Sequence, residues 1–171
     1  MTSIGLISDT HGHIDQKIYH YLDGVDEIWH AGDIGNLKVT DYLNCIAPVK
    51  AVHGNIDDHV IKSTFPLDLF FRVEAVNVWM THIGGYPGRY NKRIRAYFAS
   101  NPAPDIFITG HSHILKVMRD SKNGLLHMNP GAAGVHGFHK MKTLLRFKID
   151  GRKIIDLEAV ELGKRGLVAS T

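Results

Sequence analysis

Seven side chains of this sequence are suited to binding divalent metal ions, and they fall in five short polar islands, each closing an apolar run. The islands are Asp9-Thr10-His11-Gly12, Gly32-Asp33, Gly54-Asn55-Ile56-Asp57, Thr81-His82 and Gly110-His111-Ser112-His113. The candidate ligands are Asp9, His11, Asp33, Asn55, His82, His111 and His113. Mixed carboxylate, imidazole and amide ligands suit Mn, Ni, Co, Fe or Zn better than a thiolate-selected ion or an all-oxygen Ca site. In Asp9-x-His11 and His111-x-His113, a spacing of two places both side chains on one side of an extended backbone, so each pair is expected to converge. Asp33, with two oxygens to share, is the expected bridge between neighbouring ions. Two ions ~3.5–4 Å apart can hold a hydroxide between them and neutralise a phosphoryl group during in-line attack. Hydrolysis of a phosphate ester is the reaction predicted, with Asp33, Asn55 and His82 as its catalytic residues.

Alone, Asp-Thr-His-Gly or Gly-Asp reads better as a helix cap or a turn than as a site. The ordered set of five, each at a strand end, is what points to a site. The elements that must carry it can be read from hydrophobic patterning. Up to about Asp58 the chain alternates strand (Ile4 to Ser8), helix (Ile14 to Leu22), strand (Val25 to His30), helix (Leu37 to Cys45) and strand (Val49 to His53). That alternation predicts a mostly parallel sheet with ligands gathered at its carboxyl edge. Strand-like runs follow at Leu69 to Ala75 and Val76 to Thr81, then a helix from Asn91 to Ala99 and a strand from Asp105 to Thr109. The last third reads as strands, Leu115 to Arg119 with Leu125 to Met128, and Thr143 to Ile149 with Lys153 to Leu162 across Asp150-Gly151. Two sheets packed face to face with helices outside use all these pieces, within one domain over residues 1–171.

Composition narrows the classes further. With 171 residues, 44% of them hydrophobic, the chain can bury one good core. The single cysteine, Cys45, excludes an internal disulfide and is expected on the core face of its helix, which suits a reduced, cytoplasmic setting. Asp9 interrupts the first hydrophobic run, and no run approaches the ~20 residues that cross a bilayer, so neither export nor membrane insertion is expected. A net charge of +3 favours anionic ligands without marking a nucleic-acid binder. Nucleic acid is expected only as a substrate, and homo-oligomerisation is left open.

The motif set Asp-x-His, Gly-Asp, Gly-Asn-x-Asp, His and Gly-His-x-His, with Asn129-Pro130-Gly131 after it, resembles the calcineurin-like metallophosphoesterases, in particular their small single-domain phosphodiesterase branch. The resemblance implies an α/β fold, a four-layer α/β/β/α sandwich of two mixed sheets flanked by helices. It implies two divalent ions, with Mn first among them. One would take Asp9, His11, Asp33 and His113, and the other Asp33, Asn55, His82 and His111. A small phosphodiester is the implied substrate. Two alternatives stand beside this reading: a protein-binding scaffold on the same fold, as in the family's retromer-subunit branch, and a nuclease.

The chain departs from the broader family at Gly54-Asn55-Ile56-Asp57, where larger relatives carry a histidine after the asparagine. Ile56 cannot transfer a proton, which leaves His13, His59 or metal-bound water as candidate acids. Asp57 is expected to orient a ligand or to cap the next helix. His30 and His53 flank ligands as supports or core residues, whereas His20, His127, His136 and His139 read as surface or structural. Beyond His82, the segment from Gly85 to Arg93 is a candidate substrate rim. Arg89 or Arg93 would meet the phosphate there, and Tyr86 or Tyr90 would stack on a base, with His13 a further candidate for substrate binding.

Overall fold

The computed structural model describes residues 1–166. Strand β1 (Thr2–Ile7), helix α1 (Lys17–Leu22), β2 (Glu27–His30), α2 (Leu37–Asn44), β3 (Val49–Ala51) and α3 (His59–Thr64) form the alternating first part. There follow β4 (Asp68–Val73), β5 (Val76–Thr81), α4 (Lys92–Ser100), β6 (Ile106–Ile108), β7 (Leu115–Asp120), β8 (Leu125–Pro130), β9 (Met141–Asp150) and β10 (Lys153–Lys164). One five-stranded sheet runs in the order β10-β9-β1-β2-β3 and the other in the order β4-β5-β6-β8-β7. Each is mixed: β1, β2 and β3 are parallel, as are β5, β6 and β8, and antiparallel strands complete the edges.

Strand periodicity assigns the layers. Ile4, Leu6, Trp29 and Phe147 from the first sheet meet Val78, Met80, Ile106 and Ile108 from the second in a common core, so the sheets pack face to face. Ile7, Ile28 and Leu144 point the other way and pack on Ile18 and Leu22 of α1, Val39 and Leu43 of α2 and Ile61 of α3. On the opposite outer face Trp79, Phe107 and Leu125 pack on Ile94 of α4. The result is the four-layer α/β/β/α sandwich. Among the described residues no helix is long and apolar enough to cross a membrane.

Several local expectations are corrected. Helix α1 begins at Lys17 rather than Ile14, because Asp15 accepts the Lys17 N–H at 2.9 Å and its carboxylate pairs with Lys142, holding the preceding residues in a turn. The cap of α3 is Asp58, which accepts the Ile61 N–H at 2.9 Å, so Asp57 is left for another task. Cys45 is exposed at the C-cap of α2 instead of facing the core. The buried side of that helix is set by Val39, Thr40 and Leu43, and two residues beyond Leu43 the helix has turned about 200° away.

Candidate metal centre

Parallel strands from both sheets end at one edge of the sandwich, and the polar islands are the loops that follow β1, β2, β3, β5 and β6. Backbone hydrogen bonds tie these loops side by side. Asp9 N–H donates to Gly32 O (3.0 Å), His11 N–H to Asp33 O (3.0 Å) and Gly110 N–H to His82 O (3.0 Å). The ligand residues are not extended, contrary to the reason given for their spacing of two. Asp9, His11, Asp33, His111 and His113 all have φ between 48° and 65°. Left-handed backbone at a non-glycine residue costs of order 1–3 kcal/mol and persists only where the surroundings enforce it. The side chains converge because tight left-handed turns aim them, not because a strand alternates.

The convergence is close. Asp9, His11 and His113 present one ligand atom each within 4.8 Å of one another, and Asp33, His82 and His111 do the same. The two oxygens of Asp33 divide between the groups, Oδ1 lying 3.2 Å from His82 Nε2 and Oδ2 3.6 Å from His11 Nε2. Asp9 Oδ2 accepts the Ser8 hydroxyl (2.6 Å) and the His111 N–H (3.1 Å), which turns Oδ1 toward His113 Nε2 at 3.2 Å. Asn55 sits exposed beside Asp33, whose Oδ1 accepts the Ile56 N–H at 3.1 Å. Gly54 permits this approach: a Cβ there would lie 2.0 Å from Asp33 Oδ1. Gly32, at φ +95°, is required twice over, since a Cβ would also stand 2.6 Å from His82 Nδ1.

Buried Asp9 Oδ1, His11 Nε2 and His82 Nε2 have no hydrogen-bond partner among the described residues. Buried acceptors left unpaired are costly, and a divalent cation in each group partners all three, so these residues fit a metal. The His82 Nδ1 lies 2.8 Å from Ala31 O, which can only accept, so Nδ1 carries the proton and the neutral ring directs its Nε2 lone pair into the site. In the metal-free protein, burial opposes charge on His82, but the carboxylates of Asp33 and Asp9 outweigh it and raise its pKa. Burial opposes ionisation of Asp33 likewise, yet His82 and the Ile56 N–H hold its carboxyl below the usual range. Burial lowers the pKa of His11.

Buried groups behind the ligands fix the loops. Asp57 accepts the N–H groups of Gly54 (Oδ2, 2.7 Å), Gly35 (Oδ1, 2.7 Å) and Ile34 (Oδ2, 3.2 Å), binding the Asn55 loop to the Asp33 loop. Asn129 holds the histidine loop by donating to Gly110 O (2.9 Å) and Ser112 Oγ (3.1 Å). His30 joins Thr10 Oγ1 (2.9 Å) to the Gly32 N–H (3.2 Å). Since Gly32 N–H donates to Nδ1, the ring is neutral with its proton on Nε2, and burial pushes its pKa down to about 4.

The expected substrate contacts fare differently. Arg93 reaches the wall of a cleft beside Asn55 and His82, but its guanidinium is paired with both oxygens of Asp68 (2.8 and 2.7 Å) and with Thr81 Oγ1 (2.8 Å). That pairing neutralises the charge expected to meet a phosphate. Tyr90 is buried and donates to Asp120 (2.9 Å), so it stacks on no base. Tyr86 lies under the Lys116 ammonium, 3.7 Å from ring centroid to Nζ. Arg89 and His13 are absent from the cleft lining, and neither belongs to the two ligand groups. Sequence reasoning missed His139, whose Nδ1 is 3.2 Å from His113 Nδ1. Nothing local marks it, because 26 residues separate the two histidines.

A model of the calcineurin-like phosphoesterase superfamily domain matches residues 2–152. The chain belongs to this family. A probable metallophosphoesterase of Methanothermobacter thermautotrophicus is 31% identical to this phosphoesterase-family chain over 165 residues, covering 94% of it and 92% of the relative. A second probable metallophosphoesterase, from Methanocaldococcus jannaschii, is 24% identical over 163 residues, covering 91% and 81%. Among solved structures, Vps29 of Entamoeba histolytica complexed with zinc superposes with a TM-score of 0.72 at 18% identity, covering 94% of this chain and 99% of that one. Divalent metal binding is in keeping with the family and with the donor set.

The neutral state of His30 has a measurable consequence. Its folded pKa of about 4 lies below the ordinary 6.5, so between these values the unfolded chain binds a proton that the folded chain refuses. Stability is therefore intact above pH 6.5 and is lost as pH falls toward 4, by about 3 kcal/mol from this residue. Urea unfolding of the metal-free protein at pH 7 and pH 4.5 should show a smaller acid loss in His30→Gln than in wild type, by on the order of 2–3 kcal/mol. Equal acid losses in the two proteins would contradict the assignment.

Proposed function

We propose that the chain is a phosphodiesterase that works with two divalent ions. One is held by Asp9, His11, Asp33 and His113, and the other by Asp33, Asn55, His82 and His111. The observation that carries this reading is the division of Asp33, whose two oxygens face different imidazoles at 3.2 and 3.6 Å. Manganese is the first choice, and nickel, cobalt, iron and zinc suit the same donors. Two such ions supply Lewis acidity: they lower the pKa of water and neutralise charge on a phosphoryl group.

The chain's own residues do the rest. A cleft of about 410 Å³ opens beside Asn55 and His82, large enough for a small ester. Leu67 and Ile83 give it apolar walls for an organic substituent, while Lys62 and His53 give it polar ones. Among the described residues Lys62 forms no ion pair, so it is the free cation for substrate here. His53, rather than His13 or His59, is the imidazole that lines this cleft beside the candidate ligand His82. Its Nδ1 lies 3.3 Å from Gly54 O and donates to it, and we assign the imidazolium form of His53, protonated at both nitrogens, to giving its Nε2 proton to the leaving group in place of a side chain at Ile56, which leaves the ring neutral. A compact cleft with one free lysine suits a small diester better than a nucleic-acid strand, which asks for a row of cations. The scaffold alternative draws on fold likeness at 18% identity. The complete donor set favours the enzyme.

Two experiments test this reading. Under saturating Mn²⁺, Asp33→Ala should lose activity more completely than Asn55→Ala, because water can replace one neutral ligand but not a carboxylate that serves both ions. Equal residual activity in the two folded variants would count against a shared Asp33. Aryl phosphodiesters should exceed alkyl phosphomonoesters in kcat/KM, since the second charge of a monoester asks for more cations than Lys62 and two ions supply. His53→Ala should steepen the dependence of rate on leaving-group pKa, with alkyl leaving groups slowed about 10²-fold or more. A preference for monoesters would overturn the diester assignment, and an unchanged slope would remove His53 from proton transfer.

A further inference from the structure

Of the four imidazoles in the two ligand groups, only His82 and His113 have their rear nitrogen engaged by a hydrogen bond among the described residues. They are held in different ways. His82 Nδ1 donates to the backbone carbonyl of Ala31. His113 Nδ1 faces another side chain, His139 Nδ1, at 3.2 Å. Protons along this contact are assigned by what lies at its far end. His139 Nε2 is 2.9 Å from the carbonyl of Gly134, which can only accept, so Nε2 bears the proton of a neutral His139. Its Nδ1 is then an acceptor, His113 Nδ1 must be the donor, and His113 Nε2 is left with a lone pair aimed at Asp9 Oδ1, 3.2 Å away.

The loop that presents His139 is built for this contact. Its Ala133 and Gly134 N–H groups donate to Ser8 O (3.0 Å) and Asp9 O (3.1 Å), so the residue that receives the His139 proton is itself fastened to the strand end that carries Asp9. Gly137 passes so close that a Cβ there would lie 2.1 Å from His113 Nδ1, and its φ of +122° is open only to glycine. A continuous path thus runs from the Asp9 backbone through Gly134 and His139 to the His113 ring, joining two ligands of one group.

We propose that His139 is the positioning residue of the group formed by Asp9, His11 and His113, fixing the tautomer and direction of His113, and that the group containing His82 does not depend on it. The inference rests on the two-ion reading above, and extends it by making the two sites unequal in what supports them. Partners behind a metal-binding histidine are worth roughly 10- to 100-fold in metal affinity. Removing His139 should weaken one site and spare the other.

The test uses the full chain, stripped of metal and titrated with Mn²⁺ by calorimetry and by the electron paramagnetic resonance signal of free Mn²⁺. In His139→Ala one site should be weakened about 10- to 100-fold and the other unchanged. His139→Asn, whose Oδ1 can stand where Nδ1 stands and accept from His113, should bind within a few-fold of wild type. Long-range ¹H–¹⁵N spectra of the metal-free proteins should show His113 as the Nδ1–H tautomer in wild type and His139→Asn, and as a mixture in His139→Ala. A His139→Ala variant with wild-type affinities, with both sites weakened equally, or with the His113 tautomer unchanged would overturn the proposal. Wild type taking up a single ion would instead refute the two-ion reading, and the His113 tautomer spectra would still decide the role of His139.

Discussion

At the shared edge of the two sheets, acceptors face acceptors. Asp33 Oδ1 and Asp9 Oδ1 stand 3.2 Å from the Nε2 atoms of His82 and His113 respectively, and with both rings neutral and His113 in the tautomer proposed above, the proton of each ring is engaged behind it. Lone pairs held that close in a buried site repel unless a proton or a metal ion lies between them. Much of the surrounding structure serves to enforce this unfavourable arrangement. Five of the seven candidate ligands sit at positive φ, Gly54 and Gly32 clear space for Asp33 and His82, and Asp57, His30 and Asn129 lash the loops together from within.

The sandwich itself supplies the placement. Because each sheet contains parallel strands, their carboxyl ends share one edge, and packing the sheets face to face brings two such edges together. Asp9, Asp33 and Asn55 come from the first sheet, and His82, His111 and His113 from the second. The hydrophobic core between Leu6, Trp29 and Phe147 on one side and Met80 and Ile108 on the other therefore sets the spacing of the candidate ligands. Any loss of register between the sheets would move Asp33 relative to His82. This is why a site of loops can be rigid: the candidate ligands lie one to five residues beyond the ends of strands in the two sheets.

The candidate ligands were legible because their types and order are unusual and each ends an apolar run. The reason offered for their convergence was wrong, since left-handed turns, not strand alternation, aim Asp9, His11, His111 and His113. Layer architecture was legible from strands apolar on both faces, while the start of α1 was not, because it depends on the Asp15–Lys142 pair across 127 residues. The same blindness to distant partners made Arg93 look like a phosphate contact and Tyr90 like a stacking platform, when Asp68 and Asp120 had engaged them. His139 and His53 were weighed by their neighbours in sequence, and their roles depend on what the fold puts opposite them. Cys45 shows the smaller error of phase, two positions beyond the buried Leu43.

On the proposed function, two cations complete this constellation. The most direct test is a crystal of the protein equilibrated with Mn²⁺ and measured for anomalous scattering. Two peaks per chain are predicted, one within the Asp9, His11 and His113 group and one within the Asp33, His82 and His111 group, with Asp33 in contact with both. A single peak, or manganese bound away from Asp33, would contradict it.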